Sequence, residues 1–139
     1  MTNRGAAENS IKRAGIVLQE AEALSAAGHW NLSVRRCQES VELALKGALA
    51  WAGVEVPKVH DVGPLLRLNV GRFAPQFAEA IPQLASISRA LRAERELSFY
   101  GDPESGIPPE ELYTEDDALE ALRKARFVLD QCKGILATF

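Results

Sequence analysis

The chain offers two imidazoles for proton transfer near neutral pH, His29 and His60. His29 stands beside Trp30 at the junction of two helical stretches, where a histidine reads as a surface or capping residue. His60 is the more informative. It lies in the connector Val54-Glu55-Val56-Pro57-Lys58-Val59-His60-Asp61 and precedes Asp61, a residue type that caps helices. It is either held by local hydrogen bonds at a helix start or forms one wall of a ligand cleft. Arg89, Arg92 and Arg95 are spaced three apart, so they track around one side of a helix. Guanidinium groups on such a face can line a site for an anionic ligand. The competing reading is a solvated, salt-bridged helix surface. Charge is uneven along the chain, since residues 100–120 carry acids and no base.

Several chemistries are excluded by what is missing. No Cys-x-x-Cys, His-Glu-x-x-His or histidine-rich cluster occurs, so no metal site is expected. Neither glycine-rich phosphate motif is present, nor a Gly-x-Ser-x-Gly nucleophile turn, so no nucleotide cofactor and no serine-hydrolase centre are expected. Cys37 and Cys132 read as small buried hydrophobes of a reducing compartment. The net charge of −3 generates no basic field for nucleic acid or anionic lipid. No apolar run approaches the roughly 20 residues that span a bilayer, and Met1-Thr2-Asn3-Arg4 leads into polar sequence without a signal-peptide core. Cytoplasmic residence without membrane contact is the expectation.

The elements that must position these groups are helical. Ile11, Ala14, Leu18, Ala21 and Leu24 make one apolar stripe over about residues 8–27, with Gly28 as its stop. Val34, Cys37, Val41, Ala44, Ala48 and Trp51 repeat the pattern to Gly53. Both stretches are alanine-rich and can approach closely. A short helix capped by Asp61 should carry Pro64 in its first turn, bury Leu65, Leu66 and Leu68, and close at Gly71. A long helical stretch over about 74–99 should break or kink at Pro82. Residues 101–113, with three prolines and two glycines, read as a mobile loop. Thr114 and Asp117 form a capping-box variant that opens a last helix carrying Ala118, Leu122, Ala125, Leu129, Cys132 and Leu136 inward. At 139 residues and 47% apolar composition, residues 1–139 form a single all-α domain: an antiparallel up-and-down bundle of four long helices and a short one.

Three segments carry a family resemblance. Arg35-Arg36-Cys37-Gln38-Glu39-Ser40-Val41-Glu42-Leu43-Ala44-Leu45-Lys46-Gly47-Ala48-Leu49 resembles the second-helix signature of HEPN domains. Pro57-Lys58-Val59-His60-Asp61-Val62 resembles that family's Pro-Lys-x-His-Asp connector, and Leu112–Ala118 its Tyr-Thr entry to the final helix. The segments lie in the family's order, and the likeness covers about residues 8–136. It implies a helical bundle, usually a homodimer, that associates with nucleotides, with RNA, or with an MNT-type nucleotidyltransferase in the manner of a toxin–antitoxin pair. The RNA-cleaving branch of the family carries an arginine, four to six residues, then histidine. Here no arginine stands in that register before His29 or His60, and the stretch where the motif should fall reads Arg95-Glu96-Leu97-Ser98-Phe99-Tyr100. Tyrosine, with a pKa near ~10, is a poor acid or base at neutral pH.

The expectation is therefore a binding module of the non-nuclease branch with no catalytic residue. Lys46, Arg92 and Arg95 would contact phosphate, His60 and Tyr100 a base or sugar, with Asp61 beside them. The alternative is a ribonuclease with an altered acid–base pair. Apolar stripes on every helix, together with Trp30 and Trp51, predict leftover apolar surface and a homodimer through the first or second helix and the last.

Overall fold

Small side chains set how the first two helices meet. The computed structural model describes residues 3–137, beginning with α1 (Arg4–Ala26) and α2 (Trp30–Trp51). Ala7, Ala14 and Ala21 recur every seventh residue on α1, and all three are fully buried. They face Gly47, Ser40 and Ser33, a second seven-residue series running the opposite way on α2. Ser33 Oγ donates to the Ala21 carbonyl and Ser40 Oγ to the Ala14 carbonyl, each at 2.8 Å. Ser10 Oγ returns a hydrogen bond to the Leu43 carbonyl at 2.7 Å. Buried hydroxyls are thereby satisfied by backbone oxygens across the seam, which removes the desolvation cost of placing them there.

Both helices end in a glycine of positive φ, Gly28 at 84° and Gly53 at 77°. His29 N–H reaches back to the Leu24 carbonyl and Gly28 N–H to that of Ser25; Val54 and Gly53 do the same with Leu49 and Ala50. These paired bonds satisfy the last free carbonyls of each helix and require the left-handed residue that glycine supplies.

The chain continues through α3 (Gly63–Leu68), a 3₁₀ turn at Val70–Arg72, α4 (Pro75–Ala93), α5 (Leu97–Tyr100), α6 (Pro109–Leu112) and α7 (Glu115–Leu136). α7 lies against α2 and α1, while α4 lies against α3, α7 and α2. Leu45, Leu49, Leu66, Leu84, Leu122 and Val128 fill the centre. The α7 start carries the expected reciprocal cap, Thr114 Oγ1 accepting from Asp117 N–H and the Asp117 carboxylate accepting from Thr114 N–H. No strand occurs among the described residues, so the all-α bundle is as expected, although several short helical pieces accompany the four long ones.

Four local expectations are corrected. α4 runs through Pro82 without a break; the chain instead bends at 94–96, for reasons given below. Leu68 is 81% exposed rather than buried, because α3 ends there and turns its inner face through Leu65 and Leu66. Gly71 lies in the 3₁₀ turn beyond α3. Residues 101–113 are partly ordered: Asp102 N–H donates to Ile107 O, Gly106 N–H to Asp102 O, and α6 then leads into the buried Tyr113. Residues 103–108 at the tip are exposed, as are Glu110 and Glu111 of α6.

The seam makes a direct expectation. A β-carbon on Gly47 would lie 2.7 Å from Ile11 Cγ1 and 3.2 Å from the Ala7 carbonyl oxygen. Overpacking of this kind costs about 1–3 kcal/mol, and the better helix propensity of alanine returns up to about 1 kcal/mol. Gly47→Ala should lose about 1 kcal/mol in urea denaturation, whereas Gly134→Ala, with open space around it, should gain stability.

Candidate functional site

The polar stripe of α2 lies beside its apolar one. Asn31, Arg35, Gln38, Glu42 and Lys46 follow one another at intervals of four, three, four and four, so they share a face. That face grips the end of α4. Arg35 Nη1 donates to the Arg95 carbonyl at 2.7 Å, and Asn31 Nδ2 donates to the Ser98 carbonyl at 3.1 Å. Arg95 in turn donates from Nη1 to Gln38 Oε1 at 2.8 Å. These bonds stand in for helical bonds given up at 94–96, so the helix is interrupted there and not at Pro82.

Glu42 is the centre of the arrangement. Its carboxylate accepts from Gln38 Nε2 at 3.0 Å, from Lys46 Nζ at 2.8 Å, and pairs with His60 Nδ1 at 2.9 Å. Its side chain is 15% exposed. Burial works against its charged form, but the hydrogen bonds from Lys46, Gln38 and His60 outweigh it and hold the carboxyl below the usual glutamate range. Arg95, Gln38, Glu42, Lys46 and His60 thus form one continuous hydrogen-bonded chain drawn from α2, the connector and the 94–96 turn.

The six sequence-derived candidates divide accordingly. Lys46, His60 and Arg95 join this chain. Arg92 makes a two-point contact with Glu96, its next-turn neighbour. Asp61 turns inward: its Oδ1 accepts from Ser88 Oγ at 2.8 Å and from Gly63 N–H, the first of α3, at 3.0 Å, so it satisfies the start of α3 from one residue before the cap position, Val62, and anchors it to α4. Tyr100 is 74% exposed and stands edge-on to Phe99, whose ring is covered by the Arg35 guanidinium at 4.9 Å. His29 occupies the position before α2 with no side-chain capping bond. Cys37 and Cys132 are buried and unbridged; burial pushes the Cys37 thiol up to about 12 and the Cys132 thiol higher, so neither is a nucleophile at neutral pH.

Two participants were not singled out in the sequence. Gln38 relays Arg95 to Glu42, and the four-residue spacing of 38, 42 and 46 was the available signal. Arg13 of α1 lies with Lys46 along a shallow depression of about 440 Å³, bordered by the 53–56 connector. It has no hydrogen bond or ion pair among the described residues, and only the antiparallel seam brings it there.

The acceptor role of Glu42 has a measurable sign. Its folded pKa lies below the unfolded value, so the stabilisation is present above about pH 4.3 and is lost as pH falls through the folded value. Glu42→Gln removes the charge while keeping a side chain of the same shape. In urea denaturation it should cost about 1 kcal/mol at pH 7, below the roughly 1.5–3 kcal/mol of charged hydrogen bonds because water screens part of the group. The difference from wild type should shrink toward zero by about pH 3; a difference that does not change with pH would contradict the assignment.

Comparisons with known proteins agree with this geometry. The HEPN domain profile matches residues 7–135. A comparison with curated proteins gives no match. Among solved structures, the crystal structure of ST0689, an archaeal HEPN homologue, superposes with a TM-score of 0.72 at 29% identity, covering 94% of this chain and 97% of that one. A helical bundle whose signature residues meet around Glu42, matched by the family profile over nearly its whole length, belongs to the HEPN family.

Proposed function

We propose that the chain is a non-nuclease HEPN binding module whose Gln38–Glu42 cluster receives a phosphate-bearing ligand of nucleotide size. The observation that supports this is convergence. Arg95, Lys46 and His60 come from separate places in the sequence, yet all three end on the same Gln38–Glu42 pair. A partly exposed Lys–Glu pair is worth no more than about 1 kcal/mol, so a phosphate of higher charge displaces Glu42 from Lys46 at little cost. Gln38 and Lys46 are two helical steps of four apart, about 12 Å at 1.5 Å per residue, which suits an extended mononucleotide. Arg13 supplies an unpaired cation at the Lys46 end. In this reading Arg92 leaves Glu96 to meet the ligand, Tyr100 offers an exposed ring to a base, and Asp61 fixes the connector that carries His60.

Absence of the arginine–histidine spacing supports binding over RNA cleavage, as does the engagement of His60 Nδ1 by Glu42. Family membership supports a further role, docking to an MNT-type nucleotidyltransferase as one half of a toxin–antitoxin pair. It also supports a homodimer. The groove between α1 and α7, about 630 Å³ with Ile16 50% exposed among charged neighbours such as Lys12 and Glu22, is the surface that a second copy would cover.

Calorimetric titration at low salt with ATP, GTP and a short single-stranded RNA separates these roles. The phosphate reading expects one of them to bind more tightly than about 1 mM, with Lys46→Ala and Arg95→Ala each weakening it about tenfold. Binding weaker than that for all three, or variants that bind as wild type, leaves docking to the nucleotidyltransferase as the role. Light scattering at micromolar concentration should give twice the 15.1 kDa chain mass; a single monomer peak would remove the dimer.

A further inference from the structure

A second cavity lies away from the Glu42 cluster and shares no residue with it. It measures about 130 Å³ and sits where the end of α2, the start of α4 and the end of α7 meet. Trp51, Phe73 and Phe77 supply aromatic walls, and the Phe73 and Phe77 rings stand 4.7 Å apart. Arg72, Gln76, Asp130 and Gln131 supply the polar side chains. Arg72 spends one donor on the Ala52 carbonyl, at 3.3 Å. Asp130 and Gln131 have no hydrogen-bond or ion-pair partner among the described residues.

Gly134 is the second observation. It lies in the last turn of α7 and lines this cavity. Its backbone is ordinary helix, and a β-carbon there would meet nothing within 4 Å. Neither turn geometry nor close packing calls for glycine, and glycine is the poorer helix former. What the missing side chain provides is open space at the cavity.

We propose that this cavity is a binding site for a single-ring aromatic carboxamide. An apolar cavity of roughly 150 Å³ accepts benzene, so the space here holds one six-membered ring against its aromatic lining. The charged lining is one cation and one anion, Arg72 and Asp130, with no net charge, and the two glutamines are neutral. A charged ring would meet one of them with the wrong sign. A carboxamide presents an acceptor for Arg72 and N–H donors for Asp130 and Gln131, and it is neutral, so its desolvation costs less than that of a carboxylate or an amidinium.

Benzamide is the probe, followed by the NMR signals of the two indole N–H groups. Trp51 lines the cavity and Trp30 does not, so the Trp51 signal should shift saturably while Trp30 stays still. Benzoate and benzamidine should bind at least about fivefold more weakly than benzamide. Gly134→Leu should fill the space, abolish the shift, and leave the melting temperature unchanged or raised. If that variant does not fold, Asp130→Ala, at an exposed position, should weaken benzamide at least about fivefold. The proposal is overturned by no saturable Trp51 shift up to about 10 mM. It is equally overturned by tighter binding of either charged ring, or by a folded variant of either kind that binds as wild type.

Discussion

The close contact of α1 with α2 is the constraint from which the rest of the fold follows. Two series of small residues, each seven apart and running in opposite directions, bring the two backbones together, and buried serine hydroxyls bond across to carbonyl oxygens. Such a seam permits one rotation of α2 about its axis, because turning it would present larger side chains to Ala7, Ala14 and Ala21. With that rotation fixed, the apolar stripe of Val34, Cys37, Val41 and Ala48 faces the core. The polar stripe from Asn31 to Lys46 is left to face α4 and the connector.

That stripe then shapes the other elements. Arg35 joins Ser98 Oγ on the Arg95 carbonyl and Asn31 holds the Ser98 carbonyl of α5, so α4 can stop and α5 begin with both oxygens satisfied. Glu42 joins the connector to α2 through His60. Tyr113 donates its hydroxyl to Glu94, tying the entry of α7 to the same turn. Burial and the neighbouring Glu94 carboxylate hold the Tyr113 phenol above its usual range, so it remains a donor across the physiological range. Polar groups in the signature segments therefore act first as fasteners between elements. Any ligand chemistry there must exchange with bonds that already hold the bundle.

Much of this was legible in the sequence because helices write their buried faces at fixed intervals. The apolar stripes, the Gly28 and Gly53 stops and the Thr114–Asp117 cap all depend on neighbours within a turn or two. Features set by tertiary partners were not legible. Pro82 removes one backbone donor, yet the helix persists through it on packing around Ile81, Leu84 and Ala85; the real bend was decided by side chains from α2, some sixty residues away. Likewise Arg92 and Arg95 lie one turn apart and look equivalent. Only the placement of Gln38 separates the arginine that crosses to α2 from the one that pairs along its own helix.

The same reasoning separates the two sites in kind. Around Glu42 the side chains of Gln38, Lys46, His60 and Arg95 all have partners, so a ligand must bring more charge than the carboxylate it displaces, and selectivity there is electrostatic and weakened by salt. In the cavity beside Trp51 the polar groups Asp130 and Gln131 are free and the walls are aromatic, so binding there is governed by shape and by burial of a ring, and is far less sensitive to salt. α2 connects the two, bearing Glu42 at its middle and Trp51 at its last turn. It is held along its length by the α1 seam, and a helix so fixed has little freedom to transmit displacement from one site to the other. Occupancy at the two sites should accordingly be independent, each reading a different chemistry from the same rigid helix.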